Sequence, residues 1–188
     1  MSPRVVPDVQ AEALAALERG QYERVLTILM RAYGTDIYRY CRLMVGEVDL
    51  ADDVHQTVFV EAYRDLASFS RRSSLRTWLL GIARHRCLDA LKRARRWQRR
   101  FTLVEELPPV EDGRPDTQAD LEREAVQTSL RAALLRLDPD VRSAVLLRFH
   151  EGLSFEEMSV LTGERATTLQ ARVARALPKL RKWMASHD

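Results

Sequence analysis

Cysteine is nearly missing from this 188-residue chain, with Cys41 and Cys87 the only two. No CxxC and no Cys/His ligand spacing occurs, so neither a disulfide framework nor a zinc site is expected. Cys87 falls instead on a helical stripe with Leu79, Ala83, Ala90, Leu91 and Ala94, the place of a core thiol. Proline is absent between Asp8 and Leu107, and no strand-like alternation is sustained over that interval; helices are what remains. No apolar run approaches the ~20 residues of a membrane span, and MSPRVVPDVQ lacks the apolar segment of a signal peptide. A soluble, cytoplasmic chain without membrane insertion is expected. P-loop, HExxH and GxSxG patterns are missing as well, which argues against an enzyme and against a bound metal or cofactor.

What is present is segregated charge. The formal net charge is only +3. Between Arg84 and Arg100, however, eight Lys/Arg face one acid, Asp89. Residues 102–120 hold six acids against one base, Arg114, and residues 165–182 hold six bases and no acid. Two basic blocks separated by an acidic one suit a protein that holds a polyanion against a folded body, and nucleic acid is the natural choice.

Apolar spacing predicts helices at roughly 9–19, 21–45, 49–68 and 75–97. Gly20 and Gly46 fall at breaks, Gly34 at a bend of the second helix, and Gly81 inside the fourth, where close helix packing is the plain explanation. From about Phe101 to Thr117 the periodicity dissolves into the turn-rich PPVEDGRPD, a linker. Helical spacing resumes at Leu121. Asp138 then reads as an N-cap with Pro139 at the first helical position. Ser154 to Glu157 forms a capping box with Leu153 and Met158 as its staple. Thr162-Gly163 turns into the basic helix ATTLQARVARALPKLRKW, which completes a helix-turn-helix pattern. The expected architecture is all-α, two small helical domains on a flexible acidic linker.

Three surfaces carry candidate function. On the helix at 49–68, Asp53, Gln56 and Val60 lie on a side opposite the core stripe, either a protein contact or an ordinary solvated face. The polar loop Arg71, Arg72, Ser73 and Ser74 leads to Trp78, followed by Arg84, His85, Lys92, Arg93 and Arg96 on the outer side of the next helix. Aromatics beside cations stack on unpaired bases while the cations hold phosphates; Trp78 is equally suited to the core. His85 has no metal-site partner in sequence. In the helix-turn-helix, Thr167, Thr168, Gln170, Arg172 and Arg175 are placed to read a major groove or hold its phosphates.

The stretches DLADDVHQTVFVEAYRDL and SLRTWLLGIARHRCLDALKRARR resemble region two of the extracytoplasmic-function sigma factors of bacterial RNA polymerase. LDPDVRSAVLLRFHEGLSFEEMSVLTG and ATTLQARVARALPKLRK are similar to their region four. The resemblance spans residues 22–183 and divides the chain into an extension (1–20), a region two-like domain (21–100), an acidic linker (101–120) and a region four-like domain (121–188). It implies a dissociable initiation subunit that directs polymerase core to promoters, without cofactor or metal. By resemblance, Asp52, Asp53, Gln56 and Val60 meet the clamp helices of the largest subunit. Arg71 to Ser74, Trp78, Arg84, His85, Lys92, Arg93 and Arg96 would open and read the −10 element. Arg165, Thr167, Thr168, Gln170, Arg172 and Arg175 would engage the −35 element, near the polymerase flap. The linker would thread the active-site cleft, and an anti-sigma factor or another signal would hold the protein inactive until induction.

Some positions depart from the family pattern. Glu164-Arg165 stands where an apolar residue and then Ser or Thr are usual, which removes a strong N-cap. Gln170 replaces a usual Lys, Thr57 and Glu61 replace commoner Glu and Arg, and Pro178 is expected to kink or divide the last helix. Residues 1–20 fall outside the resemblance, with Val9, Ala13, Leu14 and Leu17 spaced for an extra amphipathic helix.

Overall fold

The computed structural model describes residues 8–100 and 118–185, and among them the chain is helical without strands. The first bundle comprises α1 (Val9–Glu18), α2 (Tyr22–Val45), α3 (Val48–Asp65) and α4 (Leu75–Arg100). The third helix ends earlier than its apolar spacing implies, because Leu66–Ser68 tightens into a 3₁₀ turn. One side of each of α2, α3 and α4 buries Leu29, Ile37, Tyr40, Val58, Ala62, Leu79 and Ala83 almost completely, the apolar stripe that a helix must cover. Cys87 lies in that core, where a hydrogen bond with Cys41 and burial push its thiol well above the usual range. Gly34 does not end α2; its carbonyl oxygen lies 3.1 Å from His55 Nε2 of α3.

The second bundle comprises α5 (Gln118–Leu135), α6 (Pro139–Phe149), α7 (Phe155–Thr162) and α8 (Ala166–Ala185). Asp138 accepts a hydrogen bond from the Asp140 N–H at 3.0 Å, with Pro139 at the first helical position. The capping box also forms: the Glu157 N–H donates to Ser154 Oγ (3.1 Å) and the Ser154 N–H to the Glu157 carboxylate (2.8 Å). Those bonds hold the Glu157 carboxyl below its ordinary range. Of the two outcomes expected of Pro178, division of the last helix does not occur. Leu169, Val173 and Ala176 on one side of it and Leu180 on the other are all buried, and that anchoring outweighs the missing N–H. The linker expected over 101–120 lies outside the described residues up to 117, and its last three positions begin α5.

The two bundles pack on each other, which the sequence did not foreshadow. Arg142 of α6 is 4% exposed. Its guanidinium donates to the carbonyls of Leu134 (2.9 Å), Leu135 (2.8 Å) and Leu137 (3.1 Å), at and just beyond the end of α5. It also donates to the Met44 carbonyl near the end of α2. The last carbonyls of a helix lack intrahelical donors and favour a cation, so one side chain caps two helices in two bundles. Burial lowers its pKa to about 10. Nearby, Gly46 takes φ 86°, and a Cβ there would come within 2.8 Å of the Leu135 side chain. Tyr40 and Ser143 share a buried hydrogen bond of 3.0 Å. Arg76 of α4 bonds the carboxylate of Glu151 at 2.6 Å and its carbonyl at 3.2 Å. Gly81 faces α7, with the Leu161 Cγ 3.5 Å from the position of a Cβ.

Candidate polymerase and nucleic-acid interfaces

The outward side of α3 is a row of polar groups around an apolar one. Asp52, Asp53, Gln56 and Val60 are all exposed, Val60 by 51%. Tyr63, 43% exposed, extends the row by one more step of helical spacing and was missed in the sequence because it reads equally as core. Thr57 turns its hydroxyl back to the Asp53 carbonyl at 2.8 Å. Glu61 is paired with Arg86 of α4 and faces inward. The displayed surface is therefore the row Asp53, Gln56, Val60 and Tyr63, with Asp52 at its edge.

At the start of α4, Ser74 is the cap: the Thr77 N–H donates to its hydroxyl at 3.0 Å. Arg71, Arg72 and Ser74 are exposed and Ser73 half-exposed. Trp78 packs against Phe69, ring centroids 5.3 Å apart at 57°. It also lines an open groove of about 380 Å³ together with Arg72, Ser73, Ile82 and His85. Both readings of Trp78 hold at once: it rests on the core margin and lines the groove. Val160 and Leu161 of α7 complete the lining from the second bundle.

The cations of α4 separate into two sets. Lys92, Arg93 and Arg96 are exposed, as is His85, whose Nε2 lies 3.3 Å from Asp89. Arg84, expected on the outer side with them, is only 14% exposed and turned to the second bundle, 2.9 Å from Asp140 and 3.7 Å from Glu164. The reason is electrostatic: two acids of the second bundle, Asp140 in the first turn of α6 and Glu164 in the turn before α8, converge on it. Arg165, just before α8, and Thr167, Thr168, Gln170 and Arg175 on it are exposed. Arg172 is held by a forked pair of bonds to Glu164, at 2.8 and 2.5 Å. Those bonds lower the Glu164 pKa and raise that of Arg172. The residue that departs from the family pattern thus neutralises one cation and approaches a second. The α8 start forms without a side-chain cap from Arg165, whose carbonyl accepts from the N–H groups of Thr168 (3.0 Å) and Leu169 (3.1 Å).

Among the described residues, no cluster of His, Cys, Asp and Glu could hold a metal ion, and no helix is long and apolar enough to cross a membrane. Two family models match: Sigma-70 region 2 over residues 29–97 and Sigma-70 region 4 over residues 127–180. The RNA polymerase sigma factor YlaC of Bacillus subtilis is 32% identical over 161 residues, covering 83% of this chain and 90% of that protein.

The chain belongs to the sigma-70 family.

Within that family it falls with the extracytoplasmic-function group. The ECF RNA polymerase sigma factor SigC of Mycobacterium tuberculosis is 31% identical over 180 residues, with 94% of this chain and 92% of that protein covered. Among solved structures, CnrH in complex with the cytosolic domain of CnrY superposes with a TM-score of 0.69 at 20% identity, over 96% of this chain and 100% of that one. The sigma factor RpoE in complex with the anti-sigma factor NepR, from Bartonella quintana, gives 0.65 at 22%, over 83% and 94%. These two establish the fold. Sigma factors bind RNA polymerase and promoter DNA, so this protein is a transcription-initiation factor and not an enzyme.

Proposed function

We propose that the three surfaces divide initiation among them. The α3 row of Asp53, Gln56 and Val60, with Asp52, docks on the clamp helices of the polymerase largest subunit. The loop Arg71–Ser74 and the groove beside Trp78 take an unpaired base of the −10 element, while His85, Lys92, Arg93 and Arg96 hold the strand's phosphates. The exposed side of α8, with Arg165, Thr167, Thr168, Gln170 and Arg175, reads the −35 element. The observation that carries this reading is the order of the surfaces. A displayed helix row and an aromatic, basic groove occupy the first family match, and an exposed recognition-helix face occupies the second. Residues 21–100 and 121–188 are the two working domains, in the cytoplasm where polymerase is.

The docked arrangement supports an inactive form. Glu164 occupies Arg172 within the second bundle, Arg84 is turned to Asp140, and α7 walls the −10 groove, so parting the bundles would free the groove and Arg84. An anti-sigma factor that grips both bundles would hold this form, as RpoE is held in complex with the anti-sigma factor NepR.

Reconstitution tests the proposal. The chain mixed with bacterial core polymerase should open a cognate promoter, seen as permanganate-reactive thymines at −10, and should bind duplex promoter weakly alone. Tight duplex binding without core, and no opening with it, would instead mark a promoter-binding regulator.

A further inference from the structure

We infer that α1, which precedes both family matches, is a splint for the loop at 71–74: Gln10 and Glu18, near its two ends, anchor the two ends of that loop and so set which base it prefers. The inference rests on the reading of that loop as the base-capturing segment.

The first N–H groups of a helix have no intrahelical acceptor and must be satisfied from elsewhere. In α4 the Thr77 N–H is taken by Ser74. The Leu75 N–H is taken by Gln10 Oε1, 3.0 Å away and 65 residues distant in the chain. The cap is therefore supplied by another helix, and that helix is itself fixed. Asp8 caps its start, Ala13 and Ala16 are buried, and the Gln21 N–H closes its end on the Ala16 carbonyl at 3.0 Å.

The other end of the loop carries an independent sign. Arg71 has φ 57°, the only positive φ at a non-glycine residue among those described. Such a conformation is disfavoured for a side chain with a Cβ, and it persists where neighbours over-determine it. The Arg71 guanidinium lies 3.0 Å from Glu18. Both groups are more than half exposed, so the pair adds little stability; what it does is select a conformer. Eight residues of helix separate Gln10 from Glu18, about 12 Å. Four residues of chain separate Arg71 from Leu75, at most about 14 Å. The spans match, and Arg72 and Ser73, which line the groove beside Trp78, lie between the two anchors. Gln10 and Glu18 are positioning residues that need not touch DNA.

The test uses the full chain bound to core polymerase and a pool of forked templates whose single-stranded −10 segment is randomised. Sequencing the bound fraction gives the discrimination between best and worst base at each position. Gln10→Met, which keeps size and removes the acceptor, should lower discrimination at the captured position about fivefold, the equivalent of about 1 kcal/mol for a lost cap. Gln10→Glu, which keeps an acceptor, should restore it, and Glu18→Ala should lower it about twofold. Affinity for core should stay as in the parent, and the melting temperature should fall by about 2–4 °C at most. Parent-like discrimination by Gln10→Met, an equal loss by Gln10→Glu, or a uniform loss at every position would overturn the inference. Arg72→Ala and Ser73→Ala in the same pool separate the two levels. If they alter base choice and Gln10→Met does not, only the splint is wrong. If they leave base choice untouched, the loop does not read the base and the splint falls with it.

Discussion

The outward face of α3 and the facing sides of α4 and α6 draw on the same kinds of residue, acids, amides and cations, yet the two regions use them in opposite ways. On α3, Asp53, Gln56 and Val60 are exposed, with Tyr63 alongside. Between the bundles, Arg142 caps two helix ends, Arg76 grips a Glu151 whose side chain is 1% exposed, and Arg84 leans on Asp140. The lesson is that charge in a sequence does not announce its use. A cation that meets carbonyls or a buried acid stabilises the fold, and one left in water is available to a partner.

The sharpest way to break the comparison is to disable the displayed face alone. Asp53→Arg combined with Gln56→Arg should weaken binding to core polymerase about 100-fold or more, the effect of like charge and lost polar contacts at an interface. Exposed substitutions of this kind move stability by only about 0.5 kcal/mol. Pull-down with core, beside a thermal melt, measures both; a double variant that binds core like the parent would remove this face from the proposal.

The converse substitution is Arg142→Ala. Leaving buried carbonyls without a donor should cost about 2–4 kcal/mol of stability, measured by urea unfolding. Because Met44 belongs to the first bundle, the two bundles should also lose their docking, which small-angle scattering would register as a larger radius. A variant as stable as the parent would mean that water or a neighbour replaces the guanidinium.

Glu164→Gln probes the boundary between the two uses. Removing the carboxylate's charge frees Arg172 for phosphate and loosens the hold on Arg84, which keeps its bond to Asp140. Binding of the isolated chain to −35 duplex should strengthen about fivefold, with a salt dependence steeper by about one phosphate contact. Unchanged affinity and slope would show that Glu164 does not mask these cations.

The smallest effect is expected from pH. The hydrogen bond that His150 donates from Nδ1 to the Glu151 carboxylate is the main reason that its pKa lies above 6.5, with Asp36 of the first bundle adding to it. A raised folded-state pKa means that the proton stabilises the native chain. That contribution is complete below pH 6.5 and is lost as the pH rises through the folded-state value. Melting temperature should therefore decline over that window in the parent more than in His150→Gln, and parallel profiles would assign the pH dependence elsewhere.

Much of the fold was legible because its signals are local. The cap at Asp138, the capping box at Ser154 and the helical spacing around Val58 or Leu79 each act within a few residues, and each is present in the structure. Arg84 shows where local reading stops. Its spacing placed it with Lys92 and Arg96, but an acid 56 residues later in the chain claims it. Arg142 was invisible because a lone arginine on an apolar helix carries no pattern that names three carbonyls at the end of the preceding helix and a fourth, that of Met44, 98 residues away. Tyr63 and Gln10 were overlooked because Tyr is ambiguous between core and surface, and Gln is ambiguous among all polar roles.

By itself the sequence determined the class, the helices, their caps and the family, because periodicity, turn chemistry and motif order are properties of neighbours along the chain. Only the tertiary structure decided which cations are displayed and which are neutralised, how α1 meets the loop before α4, and how the bundles dock. Apart from the Glu164–Arg172 pair, those outcomes depend on which groups meet across 50 to 100 residues of chain, where burial and a partner's charge, rather than residue type, set the free energy.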